Sequence, residues 1–173
     1  MRVFFFSLIT ISVFLFGCDN LASTKKETND EEKIKNQPIT FSLANEEELK
    51  KLESLKLDSG YVNLLLPAYN SEENIQKVRR SWSDLHQELG DYLSKNNFDW
   101  GVGDSSISLF NKIYFAEDGT IDYYAFKVIT PSVSEETTKN FEKLLKEFSS
   151  EVKLDLGQNK NFAQCGKSRI MNK

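Results

Sequence analysis

Between residues 45 and 170 the apolar positions recur with two different periods, and each change of period marks an element. Asn45 precedes a run in which Leu49, Leu52 and Leu55 follow at steps of three, with Glu48 where a capping box closes. That spacing predicts a helix over 46–56, halted by Asp58-Ser59-Gly60. Tyr61 to Leu66 is a mainly apolar run ended by Pro67, which reads as a buried strand or, alternatively, a helical turn. From Asn70, with Glu73 completing a second capping box, Ile75, Val78, Trp82, Leu85, Leu89 and Tyr92 recur at alternating steps of three and four. This predicts a helix over 71–96, with Gly90 as a weak point near its end. The stripe is shorter than four heptads, so it is expected to pack on its own domain, giving a monomer, instead of forming a dimer seam.

Ile107 to Phe115 and Ile121 to Ile129 alternate in the manner of strands, and Asp118-Gly119 is a favoured pair for a two-residue hairpin turn. With Glu117 opposite Thr120, Phe115 faces Asp122, Ile113 faces Tyr124, Asn111 faces Phe126 and Leu109 faces Val128, all on the core side. The other side carries Phe110, Tyr114, Tyr123 and Ile129 beside Ser108, Lys112 and Lys127. It is either covered by the 71–96 helix or left as a surface for a partner. Trp100, in the glycine-bearing loop 98–104, joins Phe110, Tyr114 and Tyr123 as the expected partner surface. The loop lacks the Lys-Ser/Thr of a phosphate cradle and reads as a sharp turn. Ser134 caps a helix over 134–149 lined by Phe141, Leu144, Leu145 and Phe148, and residues 152–156 and 162–170 supply one or two final strands. The fold class is therefore α+β, an antiparallel sheet built around the 107–129 hairpin and packed by the three helices.

At the N-terminus the pattern changes to an unbroken apolar run over residues 3–17 behind Arg2. The run is shorter than the roughly 18–20 residues that cross a bilayer, so it reads as an export signal and not as a membrane anchor. It ends in Leu15-Phe16-Gly17-Cys18, which resembles the lipobox of bacterial lipoproteins. The resemblance implies cleavage after Gly17, a diacylglyceryl group on Cys18 and acylation of the new amine. It places the chain on a cell membrane or outer membrane, lipid-anchored and facing the periplasm or the exterior. Two or three acyl chains suffice for stable anchoring where one does not. Residues 18–40 are polar apart from Leu21, Ala22, Ile34 and a few neighbours, and are expected to form a disordered tether. Residues 41–173 match the size of a single domain.

Removing the signal takes away Arg2, so 22 basic residues become 21 against 26 acidic ones and the formal charge moves from −4 to −5. An acidic chain with scattered cations is not expected to bind nucleic acid, which needs clustered Lys and Arg. His86 is the sole histidine and Cys165 the sole cysteine besides Cys18, so zinc chemistry and an intramolecular disulfide are not expected. Asp118, Gly119 and Asp122 lack the spacing of a calcium loop. No cofactor is implied. Cys165, beside Phe162 and Ala163, reads as a buried structural thiol.

The order hairpin, helix, strand, with Ile113-Tyr114-Phe115-Ala116-Glu117-Asp118-Gly119-Thr120-Ile121 at its turn, is similar to the C-terminal domain of TonB-type energy transducers. The chain departs from that family in its lipid anchor, in a tether that is not proline-rich and in lacking a Tyr-Pro segment before the hairpin. The resemblance implies a related fold without energy transduction. Two functions follow: a non-catalytic lipoprotein presenting its domain to a protein or envelope partner, or an envelope hydrolase or thiol enzyme using Cys165 with His86, or a carboxylate pair.

Overall fold

The computed structural model describes residues 37–67 and 70–172. The lipobox residues Leu15, Phe16, Gly17 and Cys18, and the expected tether up to residue 36, lie outside the described residues. The elements are β1 (Ile39–Ser42), α1 (Glu46–Ser54), β2 (Val62–Asn63), α2 (Glu72–Lys95), β3 (Ser106–Phe115), β4 (Ile121–Val128), α3 (Glu135–Glu151) and β5 (Phe162–Met171). The strands form one sheet in the order β1-β4-β3-β5-β2.

The fold is α+β, but the expected antiparallel sheet is corrected to a mixed one. β3 is antiparallel to β4 and β5, whereas β1 joins β4 and β2 joins β5 in parallel. Each parallel strand is an edge strand followed by a helix, which returns the chain without a hairpin. β1 begins at Ile39, within the span expected to be tether, and its one large buried side chain is Phe41. A four-residue strand with Thr40 and Ser42 between its apolar positions carries too little period for the pattern to reveal.

Local hydrogen bonds explain where the helices begin. Asn45 Oδ1 accepts from the N–H groups of Glu47 and Glu48, as its position predicts. Glu48 does not complete the usual box, for its carboxylate accepts from Asn45 Nδ2 at 2.8 Å and from the Ser42 N–H at 2.7 Å. That contact ties the start of α1 to the end of β1. α2 is capped by Ser71 and not by Asn70, whose side-chain amide instead donates to the Leu64 carbonyl at 3.1 Å. Ser134 caps α3 as expected.

The hairpin keeps the expected pairs Ile113 with Tyr124, Asn111 with Phe126 and Leu109 with Val128. Its turn is corrected: the Gly119 N–H donates to the Ala116 carbonyl and the Ala116 N–H to the Thr120 carbonyl, enclosing three loop residues instead of two. Phe115 therefore pairs with Ile121, and a bulge at Asp122 restores the register. The bulge turns Ile121 into the core and sends Asp122 to the other face, where it accepts from the Tyr61 hydroxyl at 2.8 Å. Residues 152–156 form no full strand. Lys153 bridges Thr120, and the Leu154 N–H donates to the Gly119 carbonyl, so this segment clasps the turn.

Two layers bury the sheet. On one face α2 and α3 enclose Leu85, Leu89, Ile113, Phe115, Tyr124, Phe126, Phe141 and Leu145, each fully buried and each contributing about 1.5–3 kcal/mol. The α2 stripe is thus used inside its own domain, and a Cβ on Gly90 would meet Ile170 at an ordinary 3.5 Å. On the other face a smaller cluster of Phe41, Leu52, Tyr114, Ala125 and Ala163 lies under α1 and the Leu57–Tyr61 segment.

β2 is shorter than the strand expected over 61–66. Asn63 Oδ1 accepts from the Leu65 N–H at 2.9 Å, an Asx turn that swings the chain away from β5 after two paired residues. This local turn leaves the rest of β5 without an outer neighbour among the described residues.

Candidate functional site

Of the four aromatics expected to form a partner surface, two are core residues. Trp100 is 2% exposed and packs edge-on to Phe98 at 4.9 Å and against Phe141 at 5.0 Å. Gly101, at φ 67°, with its N–H held by Asp99 Oδ1, folds the loop back so that the indole points inward. Tyr114 is also 2% exposed, its hydroxyl donating to Asp58 Oδ1 at 3.0 Å and its ring meeting Tyr61 edge-on. Tyr123 is half-buried at the rim of the same cluster. The two corrections have separate causes: Trp100 turns into the first-face core against Phe98 and Phe141, whereas α1 and Tyr61, not the long helix, cover Tyr114 and its end of the second sheet face.

The cover stops at an ion pair. Lys112 Nζ lies 2.8 Å from Asp58 Oδ1. The hydrogen bond from Lys112 foremost holds the Asp58 carboxyl below its ordinary value, against a smaller opposing effect of burial. Burial, the largest single influence, works against the Lys112 charge, but Asp58 and Tyr114 together outweigh it and raise the ammonium's pKa. Tyr61 is raised well above an ordinary phenol, first by burial and then by Asp122. These groups are mutually satisfied and close the covered half.

Beyond that pair no described element covers the second face. Phe110 is half-buried between two paired neighbours, Lys127 on β4 and Lys167 on β5, and Arg169 lies opposite Ser108. Lys127, Lys167 and Arg169 are exposed, and none forms an ion pair among the described residues. Met171, 65% exposed, continues this side of β5.

The backbone of β5 is open as well. The Val62 N–H donates to the Asn161 carbonyl on the outer side, and the Asn172 N–H donates to the Ser105 carbonyl on the β3 side. By strand alternation the main-chain N–H and C=O groups of Cys165, Lys167, Arg169 and Met171 point outward. β2 covers only Phe162 and Ala163, so those outward groups have no partner among the described residues. Beside this edge lies a groove of about 270 Å³ between α2 and β5, lined by Trp82, Gln87 and Gly90 on one wall and Lys167 to Met171 on the other.

Comparison with protein-family models, with curated proteins and with solved structures finds no match to this chain.

The groove floor is a satisfied polar network. The carbonyl of Trp82 can only accept, so His86 Nδ1 donates to it at 2.7 Å, and Nε2 accepts from Asn111 Nδ2 at 3.0 Å. Asn111 Nδ2 also donates to Ser168 Oγ, and Asn111 Oδ1 accepts from the Tyr124 hydroxyl. Burial pushes the His86 pKa down, opposed more weakly by the Trp82 carbonyl. Cys165, expected to be buried, is exposed. Its side chain shares the face of Lys167 and Arg169, whereas His86 lies under α2 on the other face. The sheet separates the expected thiol–imidazole pair, and His86 has no lone pair free to act as a base.

One pair of carboxylates that feel one another is Glu48 and Glu142, which line a hollow of about 490 Å³ between α1 and α3. Burial first, and Glu48 second, raise the Glu142 pKa. Both are engaged structurally, Glu48 by the cap described above and Glu142 by the Thr40 hydroxyl at 3.3 Å. Among the described residues no group of three His, Cys, Asp or Glu side chains is placed to hold a metal ion. No helix among them is long and apolar enough to cross a membrane.

Proposed function

We propose that this protein is a lipid-anchored lipoprotein of the bacterial envelope. Its folded domain is a non-catalytic binding module that captures an extended segment of a protein partner along β5. Cys18 carries the lipid, and the chain beyond it presents the domain to that partner. The observation that carries the binding role is the row of outward main-chain groups on Cys165, Lys167, Arg169 and Met171. A sheet edge of this length is a template for an added strand, whose main-chain hydrogen bonds supply affinity and whose alternate side chains supply choice. The second face contributes Phe110, and the groove beside α2 gives the other side of the added strand a place to pack.

The test uses the full chain in zwitterionic micelles and a ten-residue peptide alternating Val and Thr. Binding is expected to slow amide hydrogen exchange at Cys165, Lys167 and Arg169. The same peptide N-methylated at alternate amides is expected to lose that effect. Protection elsewhere, or protection indifferent to N-methylation, would refute edge capture.

A further inference from the structure

We infer that the captured segment carries Asp or Glu at every second position, on the side facing Lys167 and Arg169, with small or apolar residues on the side facing α2. The inference rests on β5 being the docking edge and specifies the chemistry of its occupant. Residues on an added strand lie directly beside those of β5 on the same face, so alternate side chains would meet Lys167 and Arg169. Both cations are exposed and form no ion pair among the described residues, and Lys127 reinforces them across Phe110. This is a local positive strip on a chain with a formal charge of −4. The opposite side of the added strand would enter the groove at Trp82 and Gly90, an aromatic ring and a bare backbone that suit small or apolar side chains. Acid on one side only is therefore the matching pattern.

The same charges argue against a second copy as the occupant. Antiparallel pairing of β5 with itself, with the sheet faces matched and the register centred on residues 167–169, puts Lys167 and Arg169 opposite one another or opposite themselves. Like charges directly opposite destabilise a strand pair, and Lys on an edge is a common guard against self-pairing. An acidic segment turns that guard into recognition.

The experiment compares three ten-residue peptides in which Val alternates with Glu, Thr or Lys. Each binds the full chain in zwitterionic micelles, read by fluorescence anisotropy and by amide exchange along β5. The Glu peptide is expected to bind at least tenfold more tightly than the Thr peptide, and the Lys peptide most weakly. Lys167→Ser with Arg169→Ser should level the three, and Lys167→Glu with Arg169→Glu should reverse their order, both with unchanged circular dichroism. Equal affinities with intact edge protection would overturn the acidic preference while edge docking stands. Edge amides left unprotected by every peptide would remove the docking reading itself. Protection that rises with protein concentration alone would make a second copy the occupant. Protection that follows from adding anionic lipid without peptide would make it a membrane surface. Either result overturns the proposal.

Discussion

Gly119 shows how one residue can be demanded twice. Its φ of 88° lies in the left-handed region, and a Cβ there would come within 1.8 Å of the Leu154 carbonyl oxygen. The contact is backbone to backbone, so no side-chain rotation relieves it. Gly119→Ala is expected to cost about 2–4 kcal/mol, measured as a shift in the urea midpoint. An ordinary effect below about 1 kcal/mol would mean that residues 152–156 do not clasp the turn. The dipeptide Asp118-Gly119 was legible as a turn because Gly supplies the left-handed conformation. The clasp was not, since nothing local in Leu154 announces a partner 35 residues away. His86 offers a second test at this scale. Its folded pKa is depressed below 6.5, chiefly by burial, so the unfolded chain takes up the proton first as pH falls. The neutral ring's contribution is complete above pH 6.5 and is lost as pH drops from there toward the lower folded value, with a limiting slope of about 1.4 kcal/mol per pH unit. His86→Gln should be less stable at pH 7.5, for want of the ring packed 4.4 Å from Trp82, yet lose less stability between pH 7 and 5. Parallel losses in the two proteins would assign the pH dependence to another group.

Among the elements, those with several apolar positions in one period were readable and those with one were not. α2 and α3 declare themselves through Val78, Leu85 and Leu89 and through Phe141, Leu145 and Phe148, all buried as their spacing requires. β1 does not, having only Phe41 to offer, and β2 misleads because Leu64 to Leu66 continue its apolar run after Asn63 has already turned the chain. The proposed docking edge has the same origin: no described residue pairs with the outer side of β5 beyond Ala163, because β2 stops at two residues. The burial of Trp100 and Tyr114 is not legible in the pattern, because burial under a loop or a short helix has no periodic signature. The strand's orientation gives a direct check. At position 165 the N–H points outward and at 164 it points to β3, where Gln164 pairs with Ile113. Cys165→Pro should therefore keep the fold, as proline does on the solvent side of an edge strand. Gln164→Pro should lose at least about 2 kcal/mol from a broken ladder bond and a stranded acceptor. Comparable stability losses in thermal unfolding, or a larger one at Cys165, would reverse the assigned edge.

At the scale of the whole molecule the question is what joins the domain to its surroundings. The described residues contain no helix fit to span a bilayer, and the apolar run at residues 3–17 is short of a span and is followed at once by Cys18. On the proposed reading the run is removed and attachment depends on a single sulfur. The free energy of anchoring grows by about 0.8 kcal/mol for each buried methylene, and stable attachment takes two chains. Cys165 cannot substitute for Cys18, because it sits within a strand of the folded sheet and lacks the Leu-Phe-Gly sequence that precedes Cys18. Cys18→Ser is thus expected to abolish incorporation of labelled palmitate and to leave an uncleaved or mislocalised precursor, while the fold of residues beyond 37 and the exposed thiol of Cys165 persist. Cys165→Ser should leave lipid labelling intact. Recovery of acylated, processed protein from Cys18→Ser would refute the lipoprotein assignment, and loss of labelling in Cys165→Ser would place the lipid on the wrong sulfur.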